Sequence, residues 1–247
     1  MIHQFIFAYP RSGMTEAEFQ HYWVEVHAVR YASKIQQIRK YLVDTRVALP
    51  GESGDPLWCG VAEIWLQNEK EQLESLQSRE FLEGARRDEP NWAAFWRTVG
   101  LDTEAHILLP GPGETRNSGM AKLLVLTKRK EVMPLESFRS FCLGAHADKV
   151  MKLPGLRRYC QGHVRDNFYA VGEAVLDCVE QLWFDSVDAA LAAQRSPQQD
   201  IVNADYRYCS VERYIHTMLV QEHWIIGPEP RPYNDLAAAT AARAGGN

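Results

Sequence analysis

Short strand-like runs and amphipathic stripes alternate along this chain. "IHQFIFAY" (Ile2 to Tyr9) and "AKLLVLTK" (Ala121 to Lys128) have strand character. Each is followed across a turn by apolar residues at helical spacing: Phe19, Tyr22, Trp23 and Val26 after Thr15, and Phe138, Phe141, Cys142 and Ala145 after Pro134. Two strands come next, "IRKYLVDTRVAL" and "WCGVAEIWL" in the first case and "GLRRYCQGHV" and "AVLDCVEQLWF" in the second, with the turn-rich "PGESGDP" dividing the first pair. A second helix is predicted from about Asn68 or Val187, and a final strand around His106 or His223. The order β-α-β-β-α-β, occurring twice, predicts an α+β fold of two ferredoxin-like halves, each an antiparallel sheet with its helices on one face. The other sheet face also needs cover, and two halves in one chain can cover each other.

The two halves align residue by residue. Met14 with Met133, Phe19 with Phe138, His27 with His146 and Ala28 with Ala147 share an offset of 119; Arg39 with Arg157, Tyr41 with Tyr159 and Trp65 with Trp183 share 118; His106 with His223 has 117. So slow a drift needs only small loop-length changes, and it points to a tandem duplication. The expected boundaries are 1–112 and 120–230, with a linker at 113–119 inside the Gly/Pro/Ser/Asn-rich stretch Pro110 to Gly119, and a low-complexity tail over 231–247 ending "DLAAATAARAGGN".

Composition narrows the function. The 247 residues carry 27 Lys+Arg and 32 Asp+Glu, a net charge of −5, without a basic run that would grip a phosphate backbone or an anionic membrane surface. Nucleic acid and membrane are therefore not expected partners. No apolar run is long enough to span a bilayer, the first ten residues lack the pattern of a secretion signal, and a cytoplasmic protein is expected. Five dispersed cysteines without a C-x-x-C spacing signal neither a disulfide framework nor a zinc site.

Candidate chemistry gathers on the first helix and the two strands after it. His27 and His146 each close the apolar stripe of their helix. Alternation puts Arg39, Tyr41, Val43 and Thr45 on one strand face, and Arg157, Tyr159, Gln161 and His163 on its counterpart, a face too polar for a dry core. On the next strand Glu63 stands near Trp65 and Gln181 near Trp183, as an aromatic-lined wet cavity would need. Imidazole titrates near neutrality and a phenol donates a directed hydrogen bond, so the set can move a proton and hold an enolate or phenolate. No G-x-S-x-G, Walker loop, G-x-G-x-x-G or H-E-x-x-H competes. Each feature also has a structural reading: the histidines as packed core residues, Trp65 and Trp183 as packing, His106 and His223 as strand residues. Because Glu63 is replaced by Gln181, the two cavities cannot be equivalent if a carboxylate is essential. His3, His27 and His106 lack ligand spacing, so no metal is expected.

"GMTEAEFQHYWVEVHA" and, more strongly, "HADKVMKLPGLRRY" resemble the signature of the EthD-domain family, once per repeat. The resemblance implies a dimeric α+β barrel, normally built by two chains and here by one, with a cavity between sheet and helices in each half. It is similar to methylmuconolactone methylisomerase, which implies cofactor-free chemistry with a helix histidine and a strand tyrosine. His27 with Tyr41 and His146 with Tyr159 would then be catalytic, Trp23, Glu63, Trp65 and Trp183 would line the substrate, and Arg39 or Arg157 would hold its anionic group. "KIQQIRKY" departs from the "KLPGLRRY" of the second copy, and Tyr22–Trp23 become Phe141–Cys142, so one working and one divergent site are expected. The leading expectation is an isomerase or lyase acting on a small lactone, phenolic or polyketide-like ring, without cofactor. The rivals are an oxygenase of the same fold, cofactor-independent or haem-dependent, and a non-catalytic binding or stress-responsive protein. A homodimer of tandem chains is compatible with all three.

Overall fold

Thr15 opens the first helix with a reciprocal cap: its hydroxyl accepts from the Glu18 amide while the Glu18 carboxylate accepts from the Thr15 amide, satisfying two donors at the helix start. Pro134 stands at the same place in the second half. The computed structural model describes residues 1–49, 52, 54–116, 118–170 and 172–233. The tail "DLAAATAARAGGN" and part of the "PGESGDP" turn lie outside the described residues.

The first half runs β1 (Ile2–Ala8), α1 (16–30), β2 (Lys40–Arg46), β3 (Gly60–Leu66), α2 (Glu69–Gln77), α3 (80–88) and β4 (Val99–Leu109). The second runs β5 (Ala121–Arg129), α4 (135–150), β6 (Leu156–Val164), β7 (Cys178–Phe184), α5 (Val187–Gln194), α6 (Pro197–Cys209) and β8 (Ser210–Ile226). The single second helix predicted in each half is thus a pair. Ser78 and Ser196 make the break: their hydroxyls accept from the Phe81 and Gln199 amides and so begin a new helix, and Pro197 occupies its first position.

Every strand pairing is antiparallel, and the eight strands close into a barrel in the order β1-β3-β2-β8-β5-β7-β6-β4, with β4 returning to β1. Each half contributes four strands in the order last, first, third, second. Two seams join the halves, β2 to β8 and β4 to β6, and closure leaves no sheet edge unpaired.

Strand register decides which side chains share a face. Tyr41 stands opposite Ile64, and Leu42 opposite Glu63. The outer face, with Tyr41, Val43, Ala62 and Ile64, packs on Phe19, Trp23 and Ala28 of α1; in the second half Tyr159, Leu182 and Phe184 pack with Ala147, Val150, Ala193 and Tyr206 from the helices. Inside the barrel one end is apolar, filled by Phe5, Phe7, Val61, Leu124, Leu126 and Met218. Toward the other end the fully buried Lys122 donates to Asp44 at 2.7 Å, to Glu222 at 3.1 Å and to Glu63. Glu63 also accepts from Gln181 at 2.9 Å and meets His3 at 2.6 Å.

This cluster ties strands of both halves together. Lys122→Met strands buried carboxylates without their counter-charge and is expected to lower unfolding free energy by about 3–5 kcal/mol. Denaturant titration checks this, and a loss below about 1 kcal/mol would mean the cluster is not a keystone.

Candidate active site

Both first helices depart from α-helical geometry at the same place. α1 takes a π-helical turn over Trp23–His27 and α4 over Cys142–His146, and the Ala28 and Ala147 amides donate to the Trp23 and Cys142 carbonyls, five residues back. Such turns recur at functional sites because the inserted residue re-aims the side chains around it. Here each turn ends on a histidine buried toward the sheet.

In the second half that histidine enters a continuous polar chain. His146 Nδ1 lies 3.4 Å from Asp205 of α6, and its Nε2 lies 3.3 Å from Glu180 of β7. Tyr159 donates to Glu180, and Lys149 donates to Asp205 at 2.6 Å. Gln161 donates through Nε2 to the Tyr159 hydroxyl at 2.5 Å and to the Cys142 carbonyl at 2.9 Å, which leaves its Oε1 to accept from His163 Nε2 at 2.8 Å. His163 therefore carries its proton on Nε2. Its Nδ1 is buried and has no hydrogen-bond partner among the described residues.

Burial and charge set the ionisation of this chain. Burial opposes the charged forms of His146 and Glu180, but their mutual attraction, with hydrogen bonds from Tyr159 and Tyr206 to Glu180, outweighs it: His146 is raised above its ordinary value and Glu180 is lowered below its own. Burial beside the Glu180 anion pushes the Tyr159 phenol well up. His163 moves the other way, down to about 4, through burial and the nearby His106 and Arg139. At neutral pH one ion pair thus stands behind one neutral imidazole.

The first half keeps the outline and loses the chain. His27 Nδ1 lies 2.9 Å from Asp88, the counterpart of Asp205, and 3.1 Å from the Trp92 indole nitrogen. Ala62 stands at the position of Glu180, Val43 at that of Gln161 and Thr45 at that of His163. Trp23, Trp92 and Phe19 pack together over His27, and Trp23 donates to Tyr41 at 3.3 Å. Burial lowers His27 despite Asp88, and burial raises Tyr41.

A cleft of about 400 Å3 opens at the β4–β6 seam, lined by His163, Arg139, Leu143 and Asp166 of the second half and by His106 and Glu104 of the first. The His106 and His163 ring centres are 5.0 Å apart. Arg139 donates to the Val164 carbonyl at 2.6 Å and pairs at 2.8 Å with Asp166, whose side chain is 83% exposed. The guanidinium also meets Glu136 at 3.2 Å, so an anion in the cleft competes for it with two water-exposed carboxylates.

Of the expected site residues, the structure brings His146 together with Tyr159, and Tyr41 together with Trp23. It does not unite them with Glu63, Trp65 and Trp183, which point into the barrel on the opposite face of the sheet, because the β2–β3 register sets Tyr41 against Ile64 rather than Glu63. Arg39 is held at two points by Glu71 of α2, at 2.6 and 3.0 Å, and Arg157 is an exposed strand-end residue 3.5 Å from Asp185; neither lines the cleft. Glu180 and the paired Asp88 and Asp205 are functional candidates absent from the sequence reading. Glu180 had a signal: in "CVEQLWF" alternation places it with Leu182 and Phe184, a carboxylate on a core-facing stripe. No metal-holding group of His, Cys, Asp and Glu occurs among the described residues.

The EthD domain model matches residues 11–95 and 130–207. An anthrone oxidase-like protein superposes with a TM-score of 0.59 at 13% identity, covering 91% of this chain and 92% of its own. A protein from Fusobacterium nucleatum subsp. nucleatum, provisionally named a monooxygenase, gives 0.56 at 9% identity over 94% and 95%. A third, provisionally named a chlorite dismutase, gives 0.50 at 8% identity over 96% and 98%. These likenesses establish the fold. No curated protein matches the chain.

The His146–Glu180 pair makes stability depend on pH from both sides. Glu180, lowered from 4.5, contributes stability that is present above that value and lost as pH falls through its folded value; His146, raised from 6.5, contributes stability that is full below that value and lost as pH rises through its folded value. Urea midpoints across pH should therefore show a maximum between those limits that Glu180→Gln flattens. Parallel profiles for the two proteins would remove the ion pair from the account.

Proposed function

We propose that this chain, which belongs to the EthD-domain family, is a small-molecule enzyme whose one working site is the seam cleft of the second half. The observation that carries the reading is His163: a neutral imidazole whose Nε2 proton is held by Gln161 and whose buried Nδ1 has no partner among the described residues, on the wall of a cleft that also presents a guanidinium. Arg139 holds the anionic group of a small cyclic substrate, a lactone, phenol or polyketide-like ring. His163 Nδ1 takes a proton from carbon or a ring hydroxyl. The substrate's negative charge lifts the basicity of His163 from its low resting value, and the imidazolium formed is stabilised by Glu180 behind Gln161 and Tyr159. Returning the proton to a second atom makes the enzyme an isomerase; loss of a leaving group from the enolate makes it a lyase. Neither route calls on a cofactor.

In this reading His146 and Tyr159 are positioning residues. Neither lines the cleft, and His146 faces a carboxylate at each ring nitrogen, so they act on substrate only through Gln161 and His163. His27 and Tyr41 belong to the packed first half. The tandem halves supply both members of a barrel that two chains would otherwise build, so a second copy is not needed to complete the cleft.

The names of the structural neighbours favour a second reading, in which the enolate or phenolate formed by the same proton removal reacts directly with oxygen. A haem fits less well. The cleft is rimmed by Glu69, Glu104 and Glu136, which suit a polar ligand rather than the apolar faces of a porphyrin.

A panel of lactones and hydroxylated aromatic acids incubated in D2O, followed by NMR for deuterium incorporation, tests proton transfer without knowledge of the natural product. Wild type should exchange at least one member. His163→Gln should lower the rate by about 10²–10⁴-fold, while His27→Gln should leave it within about threefold. Equal rates for wild type and His163→Gln would overturn the assignment. Stoichiometric oxygen uptake with the same compound would move the enzyme to the second reading. For the active compound kcat/KM should fall on acidification as His163 protonates, and Arg139→Gln should raise KM more than it lowers kcat.

A further inference from the structure

The polar end of the barrel interior holds a second cavity, of about 170 Å3, on the other face of the sheet from the seam cleft. Its mouth is built from matching residues of the two halves. Lys40 stands opposite Trp65 across β2–β3, and Arg158 opposite Trp183 across β6–β7. The Lys40 ammonium is 4.6 Å from the Trp65 ring centre and 4.9 Å from that of Trp224, while the Arg158 guanidinium is 4.7 Å from that of Trp183. Two cations, each seated on an indole face, thus point toward one opening.

A single carboxylate bridges them. Glu114, in the irregular segment between β4 and β5, meets Lys40 at 2.8 Å and Arg158 at 2.8 Å. Among the described residues it is the one carboxylate paired with either cation. Burial works against the Glu114 anion, yet the two cations hold its carboxyl below the ordinary range. Deeper in, Lys122 is already matched by Asp44, Glu63 and Glu222, so without Glu114 it is Lys40 and Arg158 at the mouth that would stand without a carboxylate. The buried Arg158 Nε and His3 Nδ1 have no hydrogen-bond partner among the described residues. The volume is close to the roughly 150 Å3 known to admit one benzene ring.

We infer that the barrel mouth is a second binding site, for a small aromatic carboxylate, and that Glu114 occupies the place of the ligand's carboxylate until the ligand displaces it. The faces of Trp65 already meet His3 and Lys40, and those of Trp183 meet Lys122 and Arg158, so the ring of such a ligand would enter between the indole edges, and its carboxylate would take over the bridge between Lys40 and Arg158, a charge-assisted contact of the kind a guanidinium makes best. Glu114 then sets the affinity, because the ligand must outcompete a tethered anion at high effective concentration. Nothing in this inference depends on the chemistry proposed for the seam cleft.

Calorimetric titration of the full chain with benzoate tests it, with benzamide as the uncharged ring of the same shape. Glu114→Gln should bind benzoate at least tenfold more tightly than wild type and gain nothing for benzamide. Adding Arg158→Gln to that variant should abolish the gain, and adding Arg139→Gln should leave it intact. Glu114→Ala, read the same way, covers any folding failure of the first variant. No gain for benzoate, an equal gain for benzamide, or a gain lost on removing Arg139 would overturn the inference, the last by placing the ligand in the seam cleft.

Discussion

Closure of the barrel is the constraint on which the rest of the molecule depends. Each half alone would leave its second and last strands as open edges, with unpaired amides and carbonyls. The β2–β8 and β4–β6 pairings satisfy both at once. The same closure creates two cavities. It lays β4 of the first half beside β6 of the second, so that His106 and Glu104 of one half and His163 of the other line a single cleft. It also turns eight sets of inward side chains toward one axis, where Lys122 collects Asp44, Glu63 and Glu222 from three other strands.

With the frame shared, the two halves have parted chemically. Ala62, Val43 and Thr45 stand where the second half has Glu180, Gln161 and His163, and Trp23 stands where it has Cys142, so that with Trp92 the first half has a packed core in place of the polar chain. The charged version carries a desolvation cost that a dry core avoids, and it holds only because each charge has a partner: Glu180 faces His146 and Tyr159, and Asp205 faces Lys149. A protein stabilised in one half by packing can carry such a cluster in the other. The π-helical turn survives in both halves because it aims the histidine at the sheet whether that histidine packs or pairs.

Much of the frame was legible in the residues. The near-constant offset between Phe19 and Phe138, Tyr41 and Tyr159, and Trp65 and Trp183 marked two copies of one element order, and Thr15, Pro134 and Asn68 marked helix starts where the structure has them. The site was legible only in part. Alternation along one strand correctly grouped Tyr159, Gln161 and His163, but the phase between neighbouring strands is set by register, which no single strand reveals. Glu63 and Trp65 were accordingly placed beside Tyr41 when they face the barrel axis. Glu180 was hidden by its alignment partner Ala62, and Asp88 and Asp205 by a one-residue change of offset, from 118 at Ser78 and Ser196 to 117, within the helices that carry them. The bridging role of Glu114 had no periodic signal at all, since it comes from an irregular segment.

The second half holds a neutral imidazole, His163, backed by the buried His146–Glu180 ion pair. Long-range 1H–15N correlation spectra of the histidine rings observe both directly. At a pH near 6, His163 should appear as the neutral Nε2–H tautomer and His146 as the imidazolium. A charged His163, a proton on its Nδ1, or a neutral His146 at that pH would contradict the account.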